Sequence, residues 1–79
     1  MNETIESTFR VEINTKKQFC LYDMNRGLYV FIEPIENPNY TSKLRKTIGK
    51  LESGDIINAV LESQNKLRTK WIFTEIQIE

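Results

Sequence analysis

Histidine is absent from this 79-residue sequence, and cysteine, proline and glycine are scarce, with one, two and three copies. Without histidine the chain lacks the commonest general base and a common metal ligand. A single cysteine excludes an intrachain disulfide and a multi-cysteine metal site, and the position of Cys20 inside an apolar run predicts a buried, inert thiol. The three glycines are isolated and do not form a phosphate-cradling loop. We therefore predict no enzymatic activity, no cofactor and no metal site.

The sequence also has no excess of either charge and no long apolar run. Eleven Lys and Arg residues balance eleven Asp and Glu residues, so no overall field draws the chain toward nucleic acid or anionic lipid. No apolar stretch approaches the roughly 20 residues that a membrane span needs, and the polar start does not resemble a signal peptide. These features predict a soluble cytoplasmic protein. The length predicts a single domain over residues 1–79, with residues 1–5 as a disordered tail.

Alternation of apolar and polar residues predicts three strands in the first part of the chain. Phe9, Val11 and Ile13 share one face of the first strand, and Phe19 and Leu21 share one face of the second. A turn that contains Asn25 and Gly27 follows the second strand. The predicted strands are 6–14, 18–23 and 28–32.

Two registers are open for the hairpin between the second and third strands. A four-residue loop, Met24–Gly27, places Asp23 opposite Leu28, Tyr22 opposite Tyr29, Leu21 opposite Val30 and Phe19 opposite Ile32. A three-residue loop with a glycine bulge shifts the pairing by one residue. We favour the first register because it places aliphatic residues and Phe19 on one face and the aromatic residues Tyr22, Tyr29 and Phe31 on the other.

The middle of the chain predicts a loop and then a short helix. Pro34 and Pro38 interrupt regular pairing, so residues 34–40 are expected to form a loop. Thr41 or Ser42 can cap a helix that runs to about Lys50. The residues Leu44, Ile48 and Leu51 supply its apolar stripe. Gly49 weakens this helix, and an irregular or strand-like segment is the alternative.

Two further strands are predicted after the turn at Gly54. In the run Ile56–Leu61 the residues Ile57, Ala59 and Leu61 share a face, and residues 63–65 form a polar turn. The last strand, 68–79, is long enough to bend as barrel closure requires. One of its sides carries Ile72, Thr74, Ile76 and Ile78, and the other carries Trp71, Phe73, Glu75 and Gln77. We expect the aliphatic side to point into the barrel.

The order of these segments resembles the OB fold. Three strands, a helix and two strands occur in that order, and the segment Gly54-Asp-Ile-Ile-Asn-Ala-Val-Leu is similar to the fourth strand of such barrels. The resemblance covers nearly the whole chain as a pattern of elements. It implies a mainly β, five-stranded OB-like barrel with one short helix between strands three and four. An SH3-like barrel is the alternative, and it would leave residues 41–51 as a loop.

The resemblance also implies a candidate surface for single-stranded DNA or RNA. OB barrels combine a basic groove with aromatic rings on strands two and three. The candidate stacking residues are Tyr22, Tyr29, Phe31 and Trp71. The candidate phosphate contacts form two basic stretches, one with Lys43, Arg45, Lys46 and Lys50 and another with Lys66, Arg68 and Lys70, of which all except Lys50 are assigned to the site.

Other interpretations of the same residues stay open. Large aromatic side chains also pack the ends of small barrels, and basic residues on a helix also form an ordinary solvated face. Two acids beside the tyrosines, Asp23 and Glu33, would repel a phosphate backbone. The second hypothesis is therefore a protein-interaction module or a homodimer, joined through the long terminal strand or the aromatic face.

Overall fold

A computed structural model describes residues 3–65, 67 and 69–78 of the chain. Its elements follow the predicted order of three strands, a helix and two strands. They are β1 (Thr4–Asn14), β2 (Phe19–Asp23), β3 (Leu28–Ile32), α1 (Ser42–Lys50), β4 (Ile56–Ser63) and β5 (Trp71–Ile78). In the described part of the chain, no helix is long and apolar enough to cross a membrane.

The strands close into a barrel with the order β1-β2-β3-β5-β4, and β4 pairs back onto β1. Neighbouring strands are antiparallel except β3 and β5, which are parallel and pair only between Ile32 and Trp71. The barrel is therefore narrowly joined at this one position. Both the mainly β class and the ring of five strands are as predicted.

β1 begins earlier and ends less regularly than predicted. It starts at Thr4, and Ile5 is buried, so these two residues belong to the barrel and not to a disordered tail. The pairing with β2 shifts between Val11 and Ile13. A bulge of this kind turns the following side chain away from its expected face. The prediction that Ile13 is buried was wrong, since its exposed fraction is 37%.

The β2–β3 hairpin has the favoured register. Asp23 lies opposite Leu28, and Tyr22 lies opposite Tyr29, as a four-residue loop requires. Leu21 and Val30 point into the barrel and are buried. Gly27, at the end of the loop, has a φ of 70°, in the left-handed region that glycine adopts readily.

The predicted helix is present, so residues 41–51 form neither a long loop nor a strand. The Thr41 side chain caps α1 by accepting a hydrogen bond from the Leu44 N–H at 3.1 Å. At the other end, the Asn14 side-chain amide donates to the C=O groups of Ile48 and Leu51 at 3.1 and 2.8 Å. Ile48 is fully buried. The helix packs against β5, and Ile48 belongs to the core cluster.

The inward face of β5 differs from the prediction. Trp71 and Phe73 are buried in the core, while Ile78 is 51% exposed and Ile72 and Ile76 are only partly buried. The Phe73 ring meets the Phe19 ring edge-on, with their centroids 5.4 Å apart. Packing of these two rings in the core accompanies the inward position of the aromatic side of β5.

Candidate nucleic-acid interface

Three aromatic side chains form one outward surface on β2 and β3, which we call the aromatic face: Tyr22, Tyr29 and Phe31. Tyr29 and Phe31 are 60% and 58% exposed. The rings of Tyr22 and Tyr29 meet edge-on with centroids 5.1 Å apart, as expected for cross-strand partners. These three stacking candidates are brought together as the sequence predicted.

Arg10 of β1 extends the aromatic face on its β1 side. Its guanidinium carbon lies 5.0 Å from the centre of the Tyr22 ring, within the range of a cation–π contact. The same guanidinium forms an ion pair with Glu12 at 2.6 Å. Sequence reasoning missed Arg10, although its outward position in the alternation of β1 and the β1–β2 pairing could have placed it beside Tyr22.

A groove of about 340 Å³ runs beside the aromatic face, between β3 and the connection from β4 to β5. We call it the β3 groove. Its lining includes Arg26, Tyr29, Phe31, Thr69 and Trp71. It exists because β3 meets β5 only at Ile32, which leaves Leu28–Phe31 without a neighbouring strand on that side in the described chain.

Trp71 does not stand on the surface as the prediction required. Its exposed fraction is 7%, and its side chain belongs to the core cluster. It contributes to the floor of the β3 groove but cannot present an open ring face for stacking. The alternation along β5 puts Trp71 and the isoleucines on different sides of the strand. We expected the isoleucine side to face the core, but the side that carries Trp71 does.

The basic residues of α1 lie elsewhere on the barrel. Lys43 lines a separate groove of about 330 Å³ between α1 and β5, together with Thr47 and Ile76. The Arg45 guanidinium donates to the Asn37 C=O at 3.0 Å, and Lys46 is exposed. Since α1 packs on β5 and not on β2 or β3, the structure does not bring these cations to the aromatic face.

The β4–β5 connection lies at the β3 groove. Asn65 holds it through hydrogen bonds from the backbone N–H groups of Thr69 and Lys70 to its side-chain oxygen, at 3.0 and 3.2 Å. Lys70 is exposed beside Thr69, which lines the groove. The other two predicted cations of this stretch, Lys66 and Arg68, lie outside the described residues.

Asp23 was expected beside the tyrosines, but it is fully buried. Its Oδ1 accepts hydrogen bonds from the Ser7 hydroxyl at 2.7 Å and from the N–H groups of Asn25 and Arg26 at 3.0 and 3.1 Å. The Asn25 side-chain amide in turn donates to the Ser7 hydroxyl at 2.9 Å. This carboxylate organises the β2–β3 loop and does not face a ligand at the surface. The alternation of β2 already places Asp23 on the inward face with Phe19 and Leu21.

Glu33, the other acid expected near the tyrosines, is half-buried at the end of β3. Its backbone C=O accepts a hydrogen bond from the Tyr40 hydroxyl at 2.7 Å. Burial of Tyr40 raises the pKa of its hydroxyl above the usual value; a hydrogen bond from the Phe73 backbone opposes this shift, and the Glu33 charge adds to it.

Groups with catalytic or ligating chemistry are few among the described residues. Burial and the nearby Glu12 charge raise the pKa of the Cys20 thiol, which disfavours the reactive thiolate. No cluster of three or more potential metal ligands occurs in the described ranges. Comparisons of this chain with protein-family models, with curated proteins and with solved structures find no match.

Proposed function

We propose that this chain is an OB-type barrel whose aromatic face and β3 groove bind single-stranded DNA or RNA. The ring order β1-β2-β3-β5-β4, with a helix between β3 and β4, supports the OB assignment. OB barrels bind single strands on the face of their second and third strands and beside the loop that joins the last two. The aromatic face and the β4–β5 connection occupy these positions.

The observation that carries the proposal is the exposure of Tyr29 and Phe31, at 60% and 58%. A chain of 79 residues has little apolar surface to spare for a core. Two large rings exposed on the same side of β3 therefore favour a ligand that covers them. Stacking of a base on an aromatic side chain contributes about 1 to 3 kcal/mol, so two rings account for binding of two adjacent bases.

Cations flank these rings on two sides. Arg26 lines the β3 groove, and Lys70 lies next to Thr69 on its opposite wall. Arg10 reaches the Tyr22 ring but is paired with Glu12. Arg26 is itself 3.8 Å from the Asp23 carboxylate. With few unpaired cations beside the rings among the described residues, we expect weak, sequence-tolerant binding that decreases with salt, because each phosphate contact releases condensed counterions.

Fluorescence anisotropy with labelled, mixed-sequence oligonucleotides at low salt tests the proposal. Replacing Tyr29 or Phe31 with Ala should weaken binding roughly 5- to 150-fold, the loss of one stacked base. Ile78→Ala is the matched control, because Ile78 is also an exposed apolar residue but lies on β5. If the wild type does not bind, or if all three variants bind equally, the proposal fails.

Charge variants separate the two basic regions. Arg26→Gln should lower the affinity for every oligonucleotide and reduce the salt dependence by the equivalent of about one phosphate contact. Lys46→Gln on α1 removes the same charge away from the aromatic face and should leave both quantities unchanged. If both substitutions changed the affinity and the salt dependence equally, the phosphate backbone would not follow the β3 groove as proposed.

A further inference from the structure

The groove between α1 and β5, which we call the α1–β5 groove, has apolar residues at its base. Its volume is about 330 Å³, and its lining includes Leu44 of α1 and Ile76 of β5, both partly buried against the core. Thr47 and Thr74 line it from the two sides. The groove exists because β5 pairs with β4 along its length but meets β3 only at Trp71.

The α1 wall of this groove is strongly basic. The helix carries four cations and no acid, and the whole stretch 37–51 is free of Asp and Glu. Lys43 lines the groove, and Lys50 lies two turns further along the same side of the helix. Both lysines are exposed, and neither forms an ion pair with a described residue. Their charges are therefore available to a ligand.

The position of Lys43 is unfavourable for the helix itself. It lies in the first turn of α1, which contains no acid. Because the N-terminal end of a helix has a partial positive charge, an anion is favourable there and a cation is not. Lys50, in the last turn, is favourably placed by the same rule. Helix stability therefore gives no reason for Lys43, whereas an anionic group bound in the groove does.

We propose that the α1–β5 groove binds an extended, acidic peptide segment of another protein. Successive side chains of an extended chain point to opposite sides. Apolar side chains on one side then contact Leu44 and Ile76, while carboxylates on the other side face the lysines of α1. Among the described residues no strand neighbours β5 on this side beyond Trp71, which leaves room for an extended backbone.

The opposite wall of the groove favours a peptide over a nucleic acid. Glu75 lines this wall, and it also borders a second cleft, which Glu6 of β1 lines. A nucleic-acid strand carries a negative charge at every phosphate, so its backbone would meet this acidic side. A peptide can direct its carboxylates toward α1 and place neutral residues beside Glu75. The groove therefore suits a ligand whose negative charge lies along one side only.

Fluorescence anisotropy with a labelled peptide of alternating Glu and Leu, the Glu–Leu peptide, tests the proposal. An interface below about 1,200 Å² is typical of transient complexes, so we expect a dissociation constant of about 0.1 mM. A Glu–Ser peptide lacks the apolar contacts and a Lys–Leu peptide has the wrong charge, so each should bind roughly tenfold more weakly. No binding of the Glu–Leu peptide at about 1 mM protein, or equal binding of the Lys–Leu peptide, would overturn the proposal.

A charge reversal at the groove tests the role of α1. Lys43→Glu should weaken binding of the Glu–Leu peptide roughly fivefold, because it replaces an attraction with a repulsion. Glutamate in the first turn favours the helix, so this variant should stay folded, which far-UV circular dichroism checks. Lys17→Glu is the matched control, with the same charge change at an exposed lysine between β1 and β2. Equal weakening by both variants would show a response to net charge alone and would contradict the proposal.

Amide chemical shifts locate the peptide site and separate it from the nucleic-acid proposal. With the Glu–Leu peptide we expect shifts concentrated at Leu44, Thr47 and Ile76. Shifts confined to Tyr29 and Phe31, or displacement of the peptide by a mixed-sequence oligonucleotide, would rule out a separate peptide site. Failure of the oligonucleotide to bind would remove the nucleic-acid proposal and leave the peptide site intact, because the two ligands contact different surfaces.

Discussion

Asp23 is a buried carboxylate that holds the loop between β2 and β3 in place. It accepts the Ser7 hydroxyl and two loop N–H groups, and its side chain is completely inaccessible. Among the described residues, Arg26 pairs with it, with Nε 3.8 Å from Oδ2. Hydrogen bonds to a charged acceptor contribute about 1.5 to 3 kcal/mol each when one partner is removed. The position of Arg26 and Gly27 at the β3 edge therefore depends on this one side chain.

Asp23→Ala should lower the free energy of unfolding by about 3 kcal/mol, because it removes the acceptor of three buried or half-buried hydrogen bonds. Asp23→Asn keeps a side-chain oxygen and should lose less. Urea unfolding at neutral pH measures both. Glu36→Ala, at an exposed acid in the 34–40 loop, is the control and should change stability by less than about 0.5 kcal/mol. A small effect of Asp23→Ala would mean that the loop holds its shape without the carboxylate.

Tyr40 connects the loop after β3 to the core. Its ring lies 6.5 Å from the Phe73 ring, and its hydroxyl donates to the Glu33 C=O. Because burial raises the pKa of Tyr40 in the folded chain, the folded state holds the hydroxyl proton more tightly than the unfolded state. Stability from this group is complete below the ordinary tyrosine pKa of about 10 and is lost as the pH rises above it.

Tyr40→Phe should therefore flatten the alkaline loss of stability. Above about pH 10 the wild type should lose up to about 1.4 kcal/mol per pH unit more than the variant. At neutral pH the variant should be less stable by about 1 kcal/mol, since it lacks the hydrogen bond to Glu33. Urea unfolding at a series of alkaline pH values gives both numbers. Parallel pH profiles for the two proteins would show that Tyr40 ionises equally well in the folded chain.

Among the elements, α1 is capped at both ends by side chains from different parts of the chain. Thr41 satisfies its first turn, and Asn14 from β1 satisfies its last carbonyl groups. The helix has nine residues, which is too short for stability in isolation. Its apolar stripe must therefore be buried against β5 and the barrel end for the helix to form.

Gly49 and Gly27 differ in what an added methyl group would meet. At Gly49 a Cβ would lie 3.6 Å from the Ile35 Cδ1, an ordinary contact, and the backbone is not left-handed. Gly49→Ala should therefore stabilise the protein by up to about 1 kcal/mol through helix propensity. Gly27→Ala should destabilise it by about 1 to 2 kcal/mol, because φ is 70° there.

Thermal unfolding of the two alanine variants, measured side by side, tests this comparison. Both substitutions add the same atoms, so a difference in sign reports the backbone conformation and not the chemistry of the side chain. Destabilisation by Gly49→Ala would show that the contact with Ile35 is too tight to accept a methyl group.

In the barrel as a whole, strand pairing is weakest at one seam, the junction between β3 and β5. β1 is paired along both sides, with β2 and β4, while β3 and β5 meet at a single pair of residues. α1 packs against β5, and the β3 side of the seam borders the open groove. The proposed function uses this surface through its outward rings.

Net neutrality hides an uneven distribution of charge over the molecule. The cations of α1 and those near the β3 groove lie on different parts of the barrel, although both were predicted to belong to one site. Charge alone therefore does not mark the proposed binding surface. The exposed rings of Tyr29 and Phe31 mark it, and Arg26 lines the groove beside them.

Local periodicity was enough to predict much of this structure. Alternating residues and turn chemistry gave the order of the strands, the register of the β2–β3 hairpin and the outward position of Tyr22, Tyr29 and Phe31. These features depend on residues that are close together in the sequence. The helix with its Thr41 cap was predicted for the same reason.

The bulge before Ile13, the inward side of Trp71 and the network around Asp23 depended on contacts between distant segments. The sequence determined which faces each strand has, since side chains alternate along any extended backbone. Only the tertiary structure decided which face of β5 fills the barrel and which edge of β3 stays open. Both depend on how the volumes of rings such as Phe19 and Phe73 fit together when the sheet closes, and no single segment contains that information.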